Sequence, residues 1–409
     1  MAGAFARERG CYPSEALRVS LPAGHARATL VRRPVLRPSG GDLRIESLSG
    51  RPLSVSLIEP FVIASGRVDT TRAVEVEACL SYNGKRATGL GEAACLPPVT
   101  LEDQPDVLRA IDRAAPALVG LALPANPRDL AALLHGLLPG LPVTRAGIET
   151  ALLDAMARIS DLPVRSLLGG ELGTLTTALE TDITISIAEP GHMAHLARAW
   201  HARGFRSLKV KVGADFDADA RALEAIGRAV AGVRLRIDAN AGLSARQAIA
   251  LARECDNLGL TLECFEQPCA ASDLDAMAEV AATIGAPVIA DESVKTYEDL
   301  AAVMQRGCAR GVNLKIAKMG GMFPAYRIGM AARAGGLKLM AGGMVETRLG
   351  MTAGAHLACA LGGVDFVDLD TAWLLESDPY EGGYSASGPH YSLSGAAGLG
   401  VGRRATEKA

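Results

Sequence analysis

The chain has 409 residues, room for one barrel plus a second domain or for two or three domains of average size. Its 42 Lys and Arg nearly balance its 45 Asp and Glu, which argues against a nucleic-acid or anionic-membrane partner. Hydrophobic residues make up 49% but aromatics only 4%, so the core must be built from Ala, Leu, Val and Ile, and no apolar run reaches the ~18 residues of a membrane span.

Residues 1–44 carry eight arginines and no lysine. They have no apolar h-region, and the segment reads as a disordered extension outside the fold. From residue 45 an alternating pattern begins. The runs 44–61, 72–84 and 86–95 read as three strands of a meander, with a hairpin turn at Asn83-Gly84. The polar stretch Ala64 to Thr71, with Gly66 and Arg67, reads as a mobile loop. Amphipathic helices follow over 101–120 and 127–140, then a long Ala-rich helix from Thr144 that ends before Pro163. Residues 45–170 thus form an α+β domain.

From 175 to 372 strands and helices alternate. The strands are DITISI, SLKVKV, RLRIDA, LECFEQ, PVIADE, VNLKIA, KLMAGG and DFVDLD, with a helix between each pair and glycine near most helix ends. This rhythm favours a closed parallel barrel over an open sheet. The tail, 373–409, is Gly/Ser-rich and long enough to return to the first domain. The eight cysteines form no CxxC pair and read as free thiols in a reducing cytoplasm.

The barrel strands end on charge. A parallel barrel brings all such residues to one rim. Asp238, Glu266 and Asp291 are three hard oxygen donors without cysteine or histidine, a set that suits Mg²⁺, with Mn²⁺ as a substitute, better than Zn²⁺. Each aspartate alone would serve as a helix N-cap; three on consecutive strands favour a metal. Lys209 and Lys211 are two apart and share a face. Their repulsion, and a nearby cation, should lower a lysine pKa toward that of a general base. Lys315 sits in an apolar run about halfway round the barrel from Lys211 and can face it across the metal. Lys318 is either solvated or supports a loop.

Taken together, KxK, DAN, EQP, ADES and NLKIAK resemble the enolase superfamily, in its muconate-lactonizing-enzyme subgroup, over residues 45–402. The resemblance implies a modified TIM (β/α)7β barrel under an N-terminal α+β capping domain, with Mg²⁺ on Asp238, Glu266 and Asp291. Lys211 and Lys315 become the acid/base pair, with Lys209 supporting Lys211, and Asn240 joins the substrate-binding residues. Proton abstraction next to a carboxylate needs such a cation, because the α-proton is otherwise far too weakly acidic. Asp368 and Asp370 resemble the DxD of dipeptide epimerases of the L-Ala-D/L-Glu type, where it holds the substrate's α-ammonium group. The competing reading of DLDT is an N-cap with a buried basic partner. Within the subgroup, N-acylamino acid racemase, o-succinylbenzoate synthase and muconate-type cycloisomerase are the alternatives; a scaffold without catalysis would be expected to lack a ligand or a lysine. Glu346 is a further rim carboxylate, assigned to hydrogen bonding near the lysines. Side-chain selection is expected from Ala64–Thr71 and Ala94–Thr100, where Arg67 either meets an acidic substrate side chain or faces water. The resemblance also implies a small-molecule dipeptide as partner and a homo-oligomer.

Overall fold

The structure, a computed structural model, describes residues 42–169, 177–213 and 215–405. The expected N-terminal extension lies outside the described residues up to residue 41. The first segment forms β1 (Leu43–Leu53), β2 (Ser56–Ile63), β3 (Gly66–Thr70), β4 (Arg72–Tyr82) and β5 (Lys85–Cys95). One expected strand is therefore two. The break is held by Thr71, whose hydroxyl accepts from the Val55 amide at 2.9 Å while its own amide donates to the Val55 carbonyl at 2.8 Å. Beyond it, β2 leaves the sheet of β1, β4 and β5, pairs with β3 and is bridged at Leu57 to Leu375. The stretch expected as a mobile loop is thus largely a strand, with Phe61 opposite Val68, Val62 opposite Arg67 and Ile63 opposite Gly66. The β4–β5 turn lies at Asn83 and Gly84, which take φ of 50° and 79°, as a tight hairpin requires.

Two helices pack on this sheet, α1 (Gln104–Leu118) and α3 (Pro142–Ile159), and α2 (Pro127–Leu137) packs on α3. Every residue of α3 from Val143 to Ala157 is buried, so it shows no polar face. It lies directly on β5, where a Cβ on Gly89 would come 2.1 Å from the Ala151 carbonyl oxygen and one on Gly91 2.2 Å from that of Gly147. Only glycine allows this approach.

The second segment is a parallel eight-stranded sheet whose order follows the chain. Its strands are β6 (Ile183–Ile185), β7 (Ser207–Lys211), β8 (Arg234–Asp238), β9 (Thr261–Glu266), β10 (Val288–Ala290), β11 (Gly311–Leu314), β12 (Lys338–Gly342) and β13 (Phe366–Asp368). Between them run α4 (Pro190–Ala202), α5 (Phe216–Ala229), α6 (Ala245–Asn257), α7 (Leu274–Thr283), α8 (Tyr297–Arg306), α9 (Met322–Ala334) and α10 (Arg348–Ala360). The seam between β6 and β13 carries a backbone bond from Asp182 to Val367 at 3.1 Å. The result is a nearly closed barrel under a capping domain. Inside it, Cys264, Ile289, Met340 and Phe366 form one buried apolar cluster. Each lies two residues before the inward position at its strand's C-terminal end, so this cluster is the floor beneath the charged rim.

The cap is bound to the barrel by carboxylates. Glu92 on β5 accepts from the Thr347 amide at 3.0 Å, the Thr347 hydroxyl at 2.6 Å and the Gly350 amide at 2.9 Å, capping α10 across the junction. The tail returns over the cap: the Leu399 amide donates to Asp154 on α3 at 2.6 Å. Glu75, buried on β4, accepts from Arg51 on β1 at 2.5 Å, from Arg403 of the tail at 2.5 Å and from the Tyr380 hydroxyl. Burial pushes the Glu75 carboxyl up, but the bonds from Arg51, Arg403 and Tyr380 outweigh it and hold it down at about 2.

A carboxylate depressed in the folded state stabilises the fold fully above its ordinary pKa and loses that contribution as pH falls toward the folded value. Glu75→Gln, which leaves two guanidinium groups facing a neutral amide, should lower stability at neutral pH by about 3 kcal/mol. Chemical denaturation between about pH 5 and pH 2 should show a shallower acid loss for the variant than for the wild type.

Candidate active site

Strand register assembles the rim. Lys211 on β7 lies opposite Asp238 on β8, which lies opposite Glu266 on β9. Lys209 is opposite Thr184 on one side and Arg236 on the other. Asp291 follows the end of β10, and Lys315 follows β11 as the N-cap of a one-turn helix, Ile316–Met319. The sequence pattern had kept Lys315 within its strand. Sharp turns at the strand ends carry positive φ at non-glycine residues, 41° at Asn240, 65° at Ala241 and 31° at Gln267, the strained backbone often found where side chains must be aimed.

The charges interleave. Lys209 gives one contact to each of three carboxylates: Asp368 at 2.6 Å, Glu266 at 2.9 Å and Asp238 at 3.0 Å. Lys211 meets Asp238 at 2.6 Å and the Asn240 side-chain oxygen at 3.2 Å. Lys315 meets Asp291 at 2.6 Å and stands 3.9 Å from Glu266. Lys318, which the sequence left between solvent and loop support, is buried and donates to both the carbonyl and the carboxylate of Asp291, at 2.5 and 2.6 Å.

Burial works against charge on Asp238, but Lys209, Lys211 and Lys315 outweigh it and hold its carboxyl low. Lys315 and Lys318 do the same for Asp291. Glu266 is pushed up to about 7 by burial and by Asp238. The lowering expected for the Lys209–Lys211 pair, from their mutual repulsion and a bound cation, is opposed at Lys209 by the carboxylates around it. Burial does lower Lys209, but Asp238, Asp368 and Glu266 raise it well above its ordinary value; Lys315 is likewise raised, by Asp291 and Glu266. The expectation weighed the neighbouring ammonium and a cation; Lys209 also meets three carboxylates within 3.0 Å.

Among the described residues, the carboxylates whose oxygens lie within 4.8 Å of one another are Asp182, Asp368 and Asp370, not the three strand-end carboxylates. That cluster already has protein donors. Arg236 binds Asp182 at 2.8 Å, Lys209 binds Asp368, and the Thr184 amide donates to Asp370 at 2.5 Å. Burial and Asp368 push Asp370 up to about 6 and Asp182 well above its ordinary value. In the strand-end set, Glu266 Oε2 and Asp291 Oδ2 are buried and accept no well-formed hydrogen bond, although ammonium groups lie within 2.9 and 2.6 Å. Three carboxylates on neighbouring strands, two of them with an oxygen that lacks a well-formed hydrogen bond, fit a hard divalent cation, so Asp238, Glu266 and Asp291 are the residues that could hold one.

Lys209, Lys211, Lys315, Asn240, Asp368 and Asp370 line one pocket. Asp238, Glu266 and Asp291 are not among its lining residues, and neither are two of the residues expected to bind substrate. Arg67 is exposed and paired with Asp69 at 2.9 Å. Glu346 is buried beside the pocket, where it accepts from the Met344 amide at 2.7 Å. Burial pushes Glu346 up to about 7, and burial together with Glu346 pushes Glu92 up to about 8.

The pattern also missed supporting groups. Asn313 donates to Glu266 at 2.7 Å. The Gln267 side chain accepts from the Asp291 amide at 2.8 Å and donates to the Ser293 hydroxyl at 2.7 Å, tying two rim loops together. An inward position by strand parity was the available signal for Asn313; Gln267 lay within the EQP motif with no role assigned to it.

The chain matches the sequence profile of the mandelate racemase/muconate lactonizing enzyme N-terminal domain over residues 52–169 and that of the enolase C-terminal domain-like family over 192–406. It is 36% identical to the aromatic dipeptide epimerase of Herpetosiphon aurantiacus, over 87% of this chain and 98% of that one. The structure of a substrate-liganded complex of the L-Ala-D/L-Glu epimerase from Bacillus subtilis superposes with a TM-score of 0.82 at 34% identity, covering 88% of this chain and 98% of the other. That of the dipeptide epimerase from Enterococcus faecalis, complexed with Mg and the dipeptide L-Leu-L-Tyr, gives 0.79 at 31% identity, covering 88% and 99%.

Lys318→Met removes the two hydrogen bonds that Lys318 gives Asp291 and leaves the Lys315 contact. Mg²⁺ affinity measured by titration calorimetry should fall about 10- to 100-fold, with the far-UV circular dichroism of the wild type retained.

Proposed function

The chain belongs to the enolase superfamily, in the branch of mandelate racemase and muconate lactonizing enzyme, and is an isomerase; on that premise we propose that it is a Mg²⁺-dependent dipeptide epimerase inverting the C-terminal residue of L-Ala-X dipeptides. One observation carries the proposal. Two ammonium groups, Lys211 and Lys315, reach one pocket from β7 and from the end of β11, strands on opposite sides of the barrel, with the metal-ligand candidates between them. That pairing suits removal of a proton from one face of a carbon and its return to the other.

In this reading one lysine, as the neutral amine, takes the α-proton of the second residue. The electron pair left behind moves into the substrate carboxylate as an enediolate. The other lysine, as the ammonium ion, donates a proton to the opposite face. Bound Mg²⁺ supplies positive charge for the developing enediolate and shares the charge of Asp238, Glu266 and Asp291, loosening their hold on the lysine protons. Asp368 and Asp370 border the same pocket and would take the substrate's ammonium group. Asp370, with no lysine of its own, is the better placed for a new cation. Lys209, already bound to three carboxylates, orients them and keeps their mutual repulsion low. We place the reaction in a reducing cytoplasm, in keeping with seven described cysteines that are all free. Among the described residues no helix is long and apolar enough to cross a membrane.

Incubation with Mg²⁺ and L-Ala-X dipeptides in D₂O should give a one-deuteron gain with inversion at X. Lys211→Ala and Lys315→Ala should each abolish inversion, lowering it by at least about 1,000-fold, while one of them still exchanges the proton of a single epimer. Exchange with N-acylated amino acids and none with free-amine dipeptides would overturn the proposal.

A further inference from the structure

The pocket has a second wall of different chemistry. It is formed by Phe61 and Ile63 at the end of β2, by Leu96 and Val99 after β5, and by Met344. Phe61, Ile63, Leu96 and Met344 are buried and belong to one apolar cluster with Leu57, Ala94 and Leu375, so carbon also lies behind the wall. Lys211 stands 5.6 Å above the Phe61 ring. Its ammonium is engaged by Asp238 and Asn240.

Arg67 cannot supply the missing charge from where it stands. In the β2–β3 hairpin it is paired with Val62, while Phe61 pairs with Val68 and Ile63 with Gly66. Side chains alternate faces along a strand, and direct cross-strand partners share one. Phe61 and Ile63 therefore point into the pocket, and Val62 and Arg67 point away. Bringing Arg67 inward would need a one-residue slip of β3 along β2, which would give up the Phe61–Val68 and Ile63–Gly66 pairing and turn the half-buried Val68 outward.

We propose that this wall receives the side chain of the residue being inverted and selects an apolar one, aliphatic or aromatic, over Glu or Asp. The inference rests on the dipeptide epimerase reading. An acidic side chain here would lose its water with no partner for its charge. If it recruited Lys211, it would draw that lysine away from the α-carbon.

The test is kcat/KM for deuterium uptake from D₂O with L-Ala-L-Leu, L-Ala-L-Phe and L-Ala-L-Glu. The first two should exceed the third by at least about 100-fold. Ile63→Arg should narrow or reverse that ratio, whereas Arg67→Ala should leave all three values unchanged. L-Ala-L-Glu turned over as well as the apolar dipeptides, or lost selectively in Arg67→Ala, overturns this inference and leaves the epimerase reading standing. No exchange with any dipeptide overturns both.

Discussion

Ionic groups taken out of water must be neutralised where they stand, and that constraint organises this molecule. Asp238, Glu266, Asp291, Asp368 and Asp370 are all buried at the barrel rim, and so are Lys209, Lys211, Lys315 and Lys318. None of these lysines is a spare charge. Lys209 spends its three protons on three carboxylates, and Lys318 spends two of its own on one residue. The cluster is therefore a lattice in which removing one member exposes its neighbours. A rim built this way stays polar without flooding and keeps its groups at fixed separations, which proton transfer requires.

The lattice needs a lid, and the cap supplies it through equally specific contacts. Gly89 and Gly91 let β5 settle on α3, and from the same strand Glu92 reaches the amides at the start of α10. The loop that leads into α10 carries Met344 and Glu346. One short strand thus joins the packing of the cap to a pocket-lining loop of the barrel. The tail closes the arrangement by meeting Glu75 and Asp154 on the cap's own sheet and helix.

The barrel and its rim were legible because charge at the end of an apolar run has few explanations. Parallel register converts such positions in separate strands into neighbours, so Asp238 and Glu266 could be placed together before any coordinate. The number of carboxylates that Lys209 meets was not legible. It depends on a few ångströms across strands that spacing along one strand does not contain. The clustering of Asp182 with Asp368 and Asp370 was hidden for a related reason. Asp182 opens the first barrel strand and Asp368 closes the last, so only closure of the barrel brings them together. Gln267 was read as part of a motif, yet its work is done through bonds to Asp291 and Ser293, more than twenty residues on.

Arg67 shows most sharply where pattern reading stops. The residue type suits an acidic substrate, and the strand its segment pairs with, β2, does border the pocket. A hairpin nevertheless has two faces, and a shift of one position decides between them. A polar run containing Gly66 reads as loop because nothing in it alternates strongly; its pairing partner, β2, is what makes it a strand. Once β2 is fixed by Phe61 and Ile63 packing against Leu96 and Met344, the face available to Arg67 is the outer one. The same apolar packing that anchors the hairpin over the barrel therefore sets the chemistry it presents to the pocket. Selection of the side chain and attachment of the lid are one structural feature, and a change in specificity here would have to come at Phe61 or Ile63, at some cost to how firmly the hairpin sits.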